Sequence, residues 1–188
     1  MKQKWVDAEG LKHIVQAAFA DVAYPGDDNI TISQCPCTEC QDTRDFFRGK
    51  RWQELADRKE LMQYCWGGLS ILSPEAWQFY LPTYLIIELD EGTEDYLQSC
   101  PSEEARETLI SNLSPLGRTG HLVQWFEERV ALLSEEQRKC LAIYVTQAYS
   151  SKVSELEGEW ESEDAAAVDL EDENYKAAAS FWGHLISI

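Results

Sequence analysis

Apolar positions recur at helical spacing along most of the chain. The longest predominantly apolar run extends from Trp66 to Leu89. Inside it, Ser73-Pro74-Glu75 places a hydroxyl cap, a proline and an acid in the order that helix N-termini prefer. We therefore expect a central buried helix over about residues 73–90. Pro82 lies inside this helix and removes one main-chain hydrogen bond, so we also expect a kink or a break there.

Shorter apolar stripes predict further helices on both sides of the central one. Asp7 and Ser134 are suitable caps for two of them. Thr38, with Gln41 three residues later, forms a capping-box pattern and predicts a helix start inside the sequence CPCTEC, Cys35–Cys40. The fold class predicted is all-α: a single compact domain of about six to eight helices, with at most a minor strand pair near Ile30.

Composition divides the chain into three parts. Residues 1–150 form the predicted helical core domain, with the cysteine cluster at residues 35–40. Residues 151–173 are an acidic segment, interpreted as a solvated helix, and Glu155–Glu173 holds ten acids and no bases. Residues 174–188 form an amphipathic C-terminal helix that needs a surface to pack on, in this chain or another.

The net charge of −18, from 34 acids and 16 bases, bears on the partners that the chain can bind. Such a charge repels nucleic-acid phosphates and anionic lipids, so we expect no direct nucleic-acid or membrane partner. No apolar run reaches the roughly 20 residues of a membrane span, and the N-terminal residues lack the core of a signal peptide. We therefore expect a cytoplasmic protein with reduced cysteines.

Cys35, Cys37 and Cys40 are the candidate metal ligands, and three interpretations of them remain open. Their spacing suits a zinc site, for which a fourth ligand would come from elsewhere in the chain. They could equally be small apolar fillers where a loop meets a helix. A thiol-redox role is the third interpretation, because a thiolate in the first turn of a helix is stabilised there.

Catalysis has little support in the sequence. The three histidines suggest no catalytic arrangement by their spacing, and no phosphate-binding glycine loop is present. The sequence predicts no catalytic residue and favours a non-enzymatic role. The candidate partner-binding residues are acids that could mimic a phosphate backbone: Glu155, Glu157, Glu159, Glu161, Glu163 and Asp164.

Three short motifs and one tryptophan follow one another along the chain: CTEC at Cys37–Cys40, then Trp52, LSPEA and YLPTY. Their order resembles an uncharacterised family of bacterial proteins, a domain of unknown function, built on the pattern C-x-E-C, W, L-S-P-E-A and Y-L-P-x-Y. The resemblance that they carry covers roughly Cys37 to Tyr149. The resemblance implies that the cysteines and the helix from Ser73 belong to one fold. It implies no activity, and it leaves the acidic segment outside.

Two functional hypotheses follow from these patterns. The leading one is an acidic, non-enzymatic protein-interaction module, such as an immunity or inhibitor protein that neutralises a basic partner, for example a nuclease toxin. The alternative is a small zinc-binding or thiol-redox domain that uses Cys35, Cys37 and Cys40.

Overall fold

The computed structural model describes residues 6–32, 35–55, 67–90, 102–159 and 169–184, without the side chains of 102–105, 155–159 and 169–172. Over these residues the fold is all-α, as the sequence predicts. Short 3-10 turns lie at Asp27–Asn29 and Gly67–Ser70. The α-helices described are α1 (Ala8–Phe19), α2 (Thr38–Phe47), α3 (Trp52–Leu55), α4 (Pro74–Glu88), α5 (Ser102–Leu113), α6 (His121–Leu132), α7 (Glu135–Glu159) and α8 (Asp169–Gly183).

Side-chain caps fix the first turns of three helices. The Gly10 N–H donates to Oδ1 of Asp7 at 2.8 Å, which confirms Asp7 as the cap of α1. The Oγ of Ser73 accepts from the backbone N–H at the third helical position of α4, at 3.1 Å. At α7, Ser134 and Gln137 each accept the other's backbone N–H, at 3.2 and 3.0 Å, so the predicted capping box is formed.

The core is organised around α4. All its residues from Phe79 to Ile87 are buried, and the helix packs against α1, α3, α5 and α6. It continues through Pro82 without a break, so of the two outcomes expected at this proline the break does not occur and the kink stays a prediction. The other side of the bundle consists of α7, which packs against α1 and α8. These contacts make α4 the central buried helix that the sequence predicts.

The C-terminal helix packs within this chain. Its buried face carries Tyr175, Ala178 and Trp182, and α8 contacts both α5 and α7. The indole Nε1 of Trp182 donates to the carbonyl of Leu113 at 2.8 Å, which satisfies the last turn of α5. The described part of α8 therefore completes the core. Within the described residues, no helix has both the length and the apolar character needed to cross a membrane.

One antiparallel bridge, between Thr31 and Leu72, is the only strand-like pairing in the described ranges. Next to it, the Ser73 N–H donates to the carbonyl of Ile30 at 3.0 Å, and the Ile32 N–H donates to that of Ile71 at 3.2 Å. This is the minor pairing expected near Ile30, reduced to a single bridge. It ties the segment that leads to the cysteines to the segment that leads to α4.

Candidate metal centre

The first turn of α2 brings the three cysteines together. Cys37 is the cap of this helix, and its Sγ accepts the backbone N–H of Cys40 at 3.4 Å. The Sγ atoms of Cys35 and Cys37 lie 3.2 Å apart, and all three Sγ atoms lie within 4.8 Å of one another. The cap predicted at Thr38 is therefore displaced by one residue, because a thiolate-forming side chain takes the place of the expected hydroxyl.

Arg44, one turn before the end of α2, holds the segment that carries Cys35. Its NH2 donates to the carbonyl of Cys35 at 3.1 Å, and its NH1 donates to Oγ1 of Thr31 at 2.8 Å. Thr31 is itself held by the bridge to Leu72. The side chain of Arg44 thus joins the approach to the cysteines, the helix that carries two of them, and the bridge to the core.

Two tyrosines secure the other end of α2. The hydroxyl of Tyr80 donates to the carbonyls of Phe47 and Lys50, at 2.9 and 3.0 Å. Gly49 follows the helix with φ of 69°, a left-handed conformation that favours glycine, and its N–H donates to the hydroxyl of Tyr24 at 2.8 Å. These bonds fix the C-terminal end of α2 to the core, while Arg44 holds the approach to its first turn, where the thiols lie.

Cys35 and Cys40 have different protonation preferences. Hydrogen bonds from the backbone and side chain of Cys37 and from the side chain of Cys40, together with the charge of Arg44, lower the pKa of Cys35 below its ordinary value. Burial raises the pKa of Cys40 to about 12, and the neighbouring cysteines add to the rise. The cluster thus combines Cys35, whose thiol ionises readily, with Cys40, whose thiol keeps its proton at neutral pH unless a metal ion displaces it.

The arrangement has the size of a zinc site. A tetrahedral ion with Zn–S bonds of about 2.3 Å separates its sulfur ligands by roughly 3.8 Å. The observed separations fall around this value, with 3.2 Å for Cys35 and Cys37 and an upper limit of 4.8 Å for the cluster. Soft thiolate ligands suit zinc.

None of the other described cysteines and histidines joins the cluster. Cys140 is buried in α7, where burial raises the pKa of its thiol to about 12. His13 lies on α1, with Nδ1 at 2.7 Å from the carbonyl of Glu9, while His121 and His184 are exposed on α6 and just after α8. The remaining two candidates for a fourth ligand, Cys65 and Cys100, fall outside the described residues. The described ranges contain one group able to hold a metal ion, namely Cys35, Cys37 and Cys40.

The predicted partner-binding acids are placed only in part. Glu155, Glu157 and Glu159 lie in the final turns of α7, where the backbone alone is described. Glu161, Glu163 and Asp164 lie outside the described residues. The role of this acidic segment in binding stays a prediction.

A second polar centre, which the sequence reasoning missed, is Arg129 in the core. This arginine is 1 % exposed, and its NH2 donates to the carbonyls of Leu69, Ser70 and Leu72 at 3.2, 3.1 and 2.8 Å. Its guanidinium carbon lies 4.0 Å from the ring centroid of Trp125. The apolar stripe in the sequence of α6 could have revealed Arg129 as a buried residue. Position 129 lies four residues after Trp125 and therefore falls on the same apolar face.

Comparisons with known proteins identify the family and nothing further. No curated protein and no solved structure matches this chain significantly. A family model described as "Family of unknown function (DUF6714)" matches residues 7–184, a range that includes the cysteine cluster and the central helix. The range also includes the acidic segment of residues 151–173, so the expectation that this segment lies outside the family is wrong. This chain therefore belongs to the DUF6714 family, whose function is unknown.

Proposed function

We propose that this protein binds zinc through Cys35, Cys37 and Cys40. The observation that carries the proposal is the meeting of three thiols within 4.8 Å at the first turn of α2. In a closed core, such a cluster would be inert, but Cys37 is exposed and Cys35 is half-buried, so an ion can reach them. The positive end of the α2 dipole favours thiolates at the same place.

The surroundings of the cluster compensate the charge of a bound ion. A Zn²⁺ ion with three thiolate ligands carries one net negative charge. The guanidinium of Arg44 lies next to it, bonded to the carbonyl of Cys35 at 3.1 Å. Hydrogen bonds from surrounding residues orient metal ligands, and this one holds the backbone of Cys35 in place. Because the ligands must be reduced thiols, the proposal places the protein in a reducing compartment, the cytoplasm.

Metal analysis of the purified protein tests the zinc proposal. The protein is purified under reducing conditions without chelator, and its zinc content is measured by mass spectrometry. We expect near-stoichiometric zinc, lost in Cys37→Ser and kept in Cys140→Ala, which removes a buried thiol outside the cluster. Zinc absent from the wild-type protein, or retained by Cys37→Ser, would overturn the proposal. A Cys35–Cys37 disulfide in zinc-free protein that is prepared without reductant would instead favour the redox alternative.

We propose as a second function that the protein is an acidic interaction module for a basic partner, such as an inhibitor or immunity protein that neutralises a nuclease. The supporting observation is the sorting of charge between surface and interior. Among the described side chains, every carboxylate is exposed except those of Glu88 and Glu107. The exposed bases in the same ranges are Arg48, Arg51, Lys139 and Lys176, while the other described bases are partly or fully buried. In the described part of the chain, exposed acidic residues therefore far outnumber exposed basic ones.

Capture of partners at two salt concentrations tests this second function. A basic protein from the native host should bind at low salt and be released at high salt, because exposed charges are screened. Neutralising the six predicted acids should weaken the capture: Glu155, Glu157, Glu159, Glu161, Glu163 and Asp164. Capture that is unchanged by these substitutions and by salt would contradict an electrostatic interaction.

A further inference from the structure

A groove with an apolar floor lies between α1 and the start of α7, with a volume of about 710 Å³. Half-buried Ile14, Ala18 and Val22 line it along α1 and the residue stretch that follows. Ala17, which is exposed, lines the same groove. We call this surface, with the acids Asp21 and Glu136 at its edge, the α1–α7 groove. Its volume is several times the roughly 30 Å³ share of one water molecule, so it accepts a whole side chain.

The polar groups of the α1–α7 groove are all acceptors or already bonded. Both polar atoms of the Gln137 side chain are bonded: its Nε2 donates to the carbonyl of Ala18 at 3.1 Å, and its Oε1 accepts from Ser134 and Gln78. The exposed carboxylates of Asp21 and Glu136 supply two negative charges. Among the described residues that line the groove, none is a lysine or an arginine. The lining thus carries two negative charges and no positive one. Ser134 donates to the carboxylate of Glu136 at 3.0 Å, and Lys139, the nearby base outside the lining, is paired with Glu135 at 2.6 Å.

The end of α1 adds to this negative potential. The helix ends at Phe19, beside the groove, and its last turn contains no basic residue. The C-terminal end of a helix favours a cation, although the carbonyls of Ala17, Ala18 and Phe19 at this end already accept hydrogen bonds from Ala20, Gln137 and Val22. A cation placed in the groove therefore meets two carboxylates and the favourable end of a helix dipole, while its hydrocarbon stem meets the apolar floor.

We propose that the α1–α7 groove binds an arginine or lysine side chain of a basic protein partner. The inference rests on the proposed acidic interaction function, to which it adds a location. The side chain lies with its methylene groups on Ile14, Ala18 and Val22, and its charged head lies between Asp21 and Glu136. The match of charge, with net −18 on the chain and no base in the groove's described lining, selects a basic partner over an acidic or neutral one.

Binding of a fluorescein-labelled hexa-arginine peptide, followed by anisotropy at about 150 mM salt, tests the groove. The groove variant is Asp21→Asn with Glu136→Gln. The matched control is Asp28→Asn with Glu173→Gln, which removes the same two charges from exposed positions elsewhere. A third variant, Ala17→Phe, fills the groove and leaves the charge unchanged. Circular dichroism establishes that each variant is folded.

We expect the groove variant to bind the peptide about three- to tenfold more weakly, as the loss of two ion pairs implies. The control should change affinity by less than about twofold, and Ala17→Phe should weaken binding as the groove variant does. Equal weakening in both double variants, or no effect of Ala17→Phe, would overturn the groove and leave the acidic interaction proposal standing. A wild-type protein that binds no hexa-arginine, even at low salt, would overturn both.

Discussion

Two arginines hold the two sides of the Thr31–Leu72 bridge, and their surroundings differ. Arg44, on the Thr31 side, is half-buried and donates to Oγ1 of Thr31 and the carbonyl of Cys35. Arg129, on the Leu72 side, is 1 % exposed and donates to the carbonyl of Leu72 at 2.8 Å. The same guanidinium chemistry therefore serves an accessible thiol cluster on one side and a closed core on the other.

The difference shows what burial does to a cation. Burial, with a smaller contribution from Arg118, lowers the pKa of Arg129 to about 9, yet the group is still protonated at neutral pH. Among the described residues no carboxylate forms an ion pair with Arg129; carbonyl oxygens and the ring of Trp125 surround it. The hydrogen bonds of Arg129, and not its charge, contribute to stability, whereas Arg44 lies beside the proposed zinc site.

Arg129→Met should produce the largest loss of stability and tests the role of the buried arginine. The substitution leaves three carbonyls without their donor, so the free energy of unfolding should fall by about 2–4 kcal/mol. Urea denaturation followed by circular dichroism measures the loss. The control is Arg48→Met, whose exposed ion pair with Asp45 at 3.8 Å should contribute less than about 0.5 kcal/mol. A loss below about 1 kcal/mol in Arg129→Met would contradict the structural role.

Arg44→Met tests whether the half-buried arginine positions Cys35 for zinc binding. Zinc affinity should fall about 10- to 100-fold, because the segment carrying Cys35 loses the group that orients it. The free energy of unfolding of the zinc-free protein should change by no more than about 1 kcal/mol. Competition with a chromophoric chelator measures the affinity. Arg48→Met, one turn further along α2, is the control; an equal loss of affinity there would show that general charge, and not the bond to Cys35, is responsible.

The proposed zinc site and the buried Arg129 should respond differently to pH. At neutral pH the buried Cys40 keeps its proton, since its pKa is raised to about 12, and zinc must displace that proton. Affinity should therefore fall as pH falls, by about tenfold per unit for each proton released. Chelator competition between about pH 6 and 8 measures it. Arg129, with a pKa of about 9, stays protonated over this range and should add no pH dependence to stability there. An affinity independent of pH would contradict thiolate ligation.

Tyr80→Phe should give the smallest effect and separates the two ends of α2. The lost hydroxyl donates to the carbonyls of Phe47 and Lys50, so unfolding free energy should fall by about 1 kcal/mol. Zinc affinity should stay within about twofold of wild type, because the far end of the helix does not touch the thiols. A large loss of zinc affinity would show that the C-terminal hold on α2 also positions the cluster.

Local signals made most of the helices predictable. Asp7, Ser73 and Ser134 cap their helices as expected, because a cap is decided by residues within one turn. The cap at α2 differs by one residue, since the side chain of Cys37 can accept a backbone N–H that a hydroxyl at position 38 was expected to take. The closeness of the three cysteines was likewise accessible, because the C-x-C-x2-C spacing spans a single loop-to-helix junction.

Contacts between distant parts of the chain could not be predicted from the sequence. The bond from Arg129 to the carbonyl of Leu72 joins residues 57 positions apart, and no local pattern encodes such a pairing. The sorting of bases toward the interior is equally a property of the folded chain, because composition records charges and not their exposure. Pro82 shows the converse: a strong local signal for interruption is outweighed when the whole helix is packed into the core.

Gln137 has a consequence for the speed of recognition. Its amide joins the carbonyl of Ala18 on α1, the side chain of Gln78 on α4 and the backbone of Ser134, so the walls of the α1–α7 groove are fixed to one another. A partner then meets a surface that is already shaped, and no rearrangement need precede docking. Encounter should be limited by diffusion and accelerated by the negative field of the chain, so added salt should lower the association rate constant far more than it raises the dissociation rate constant.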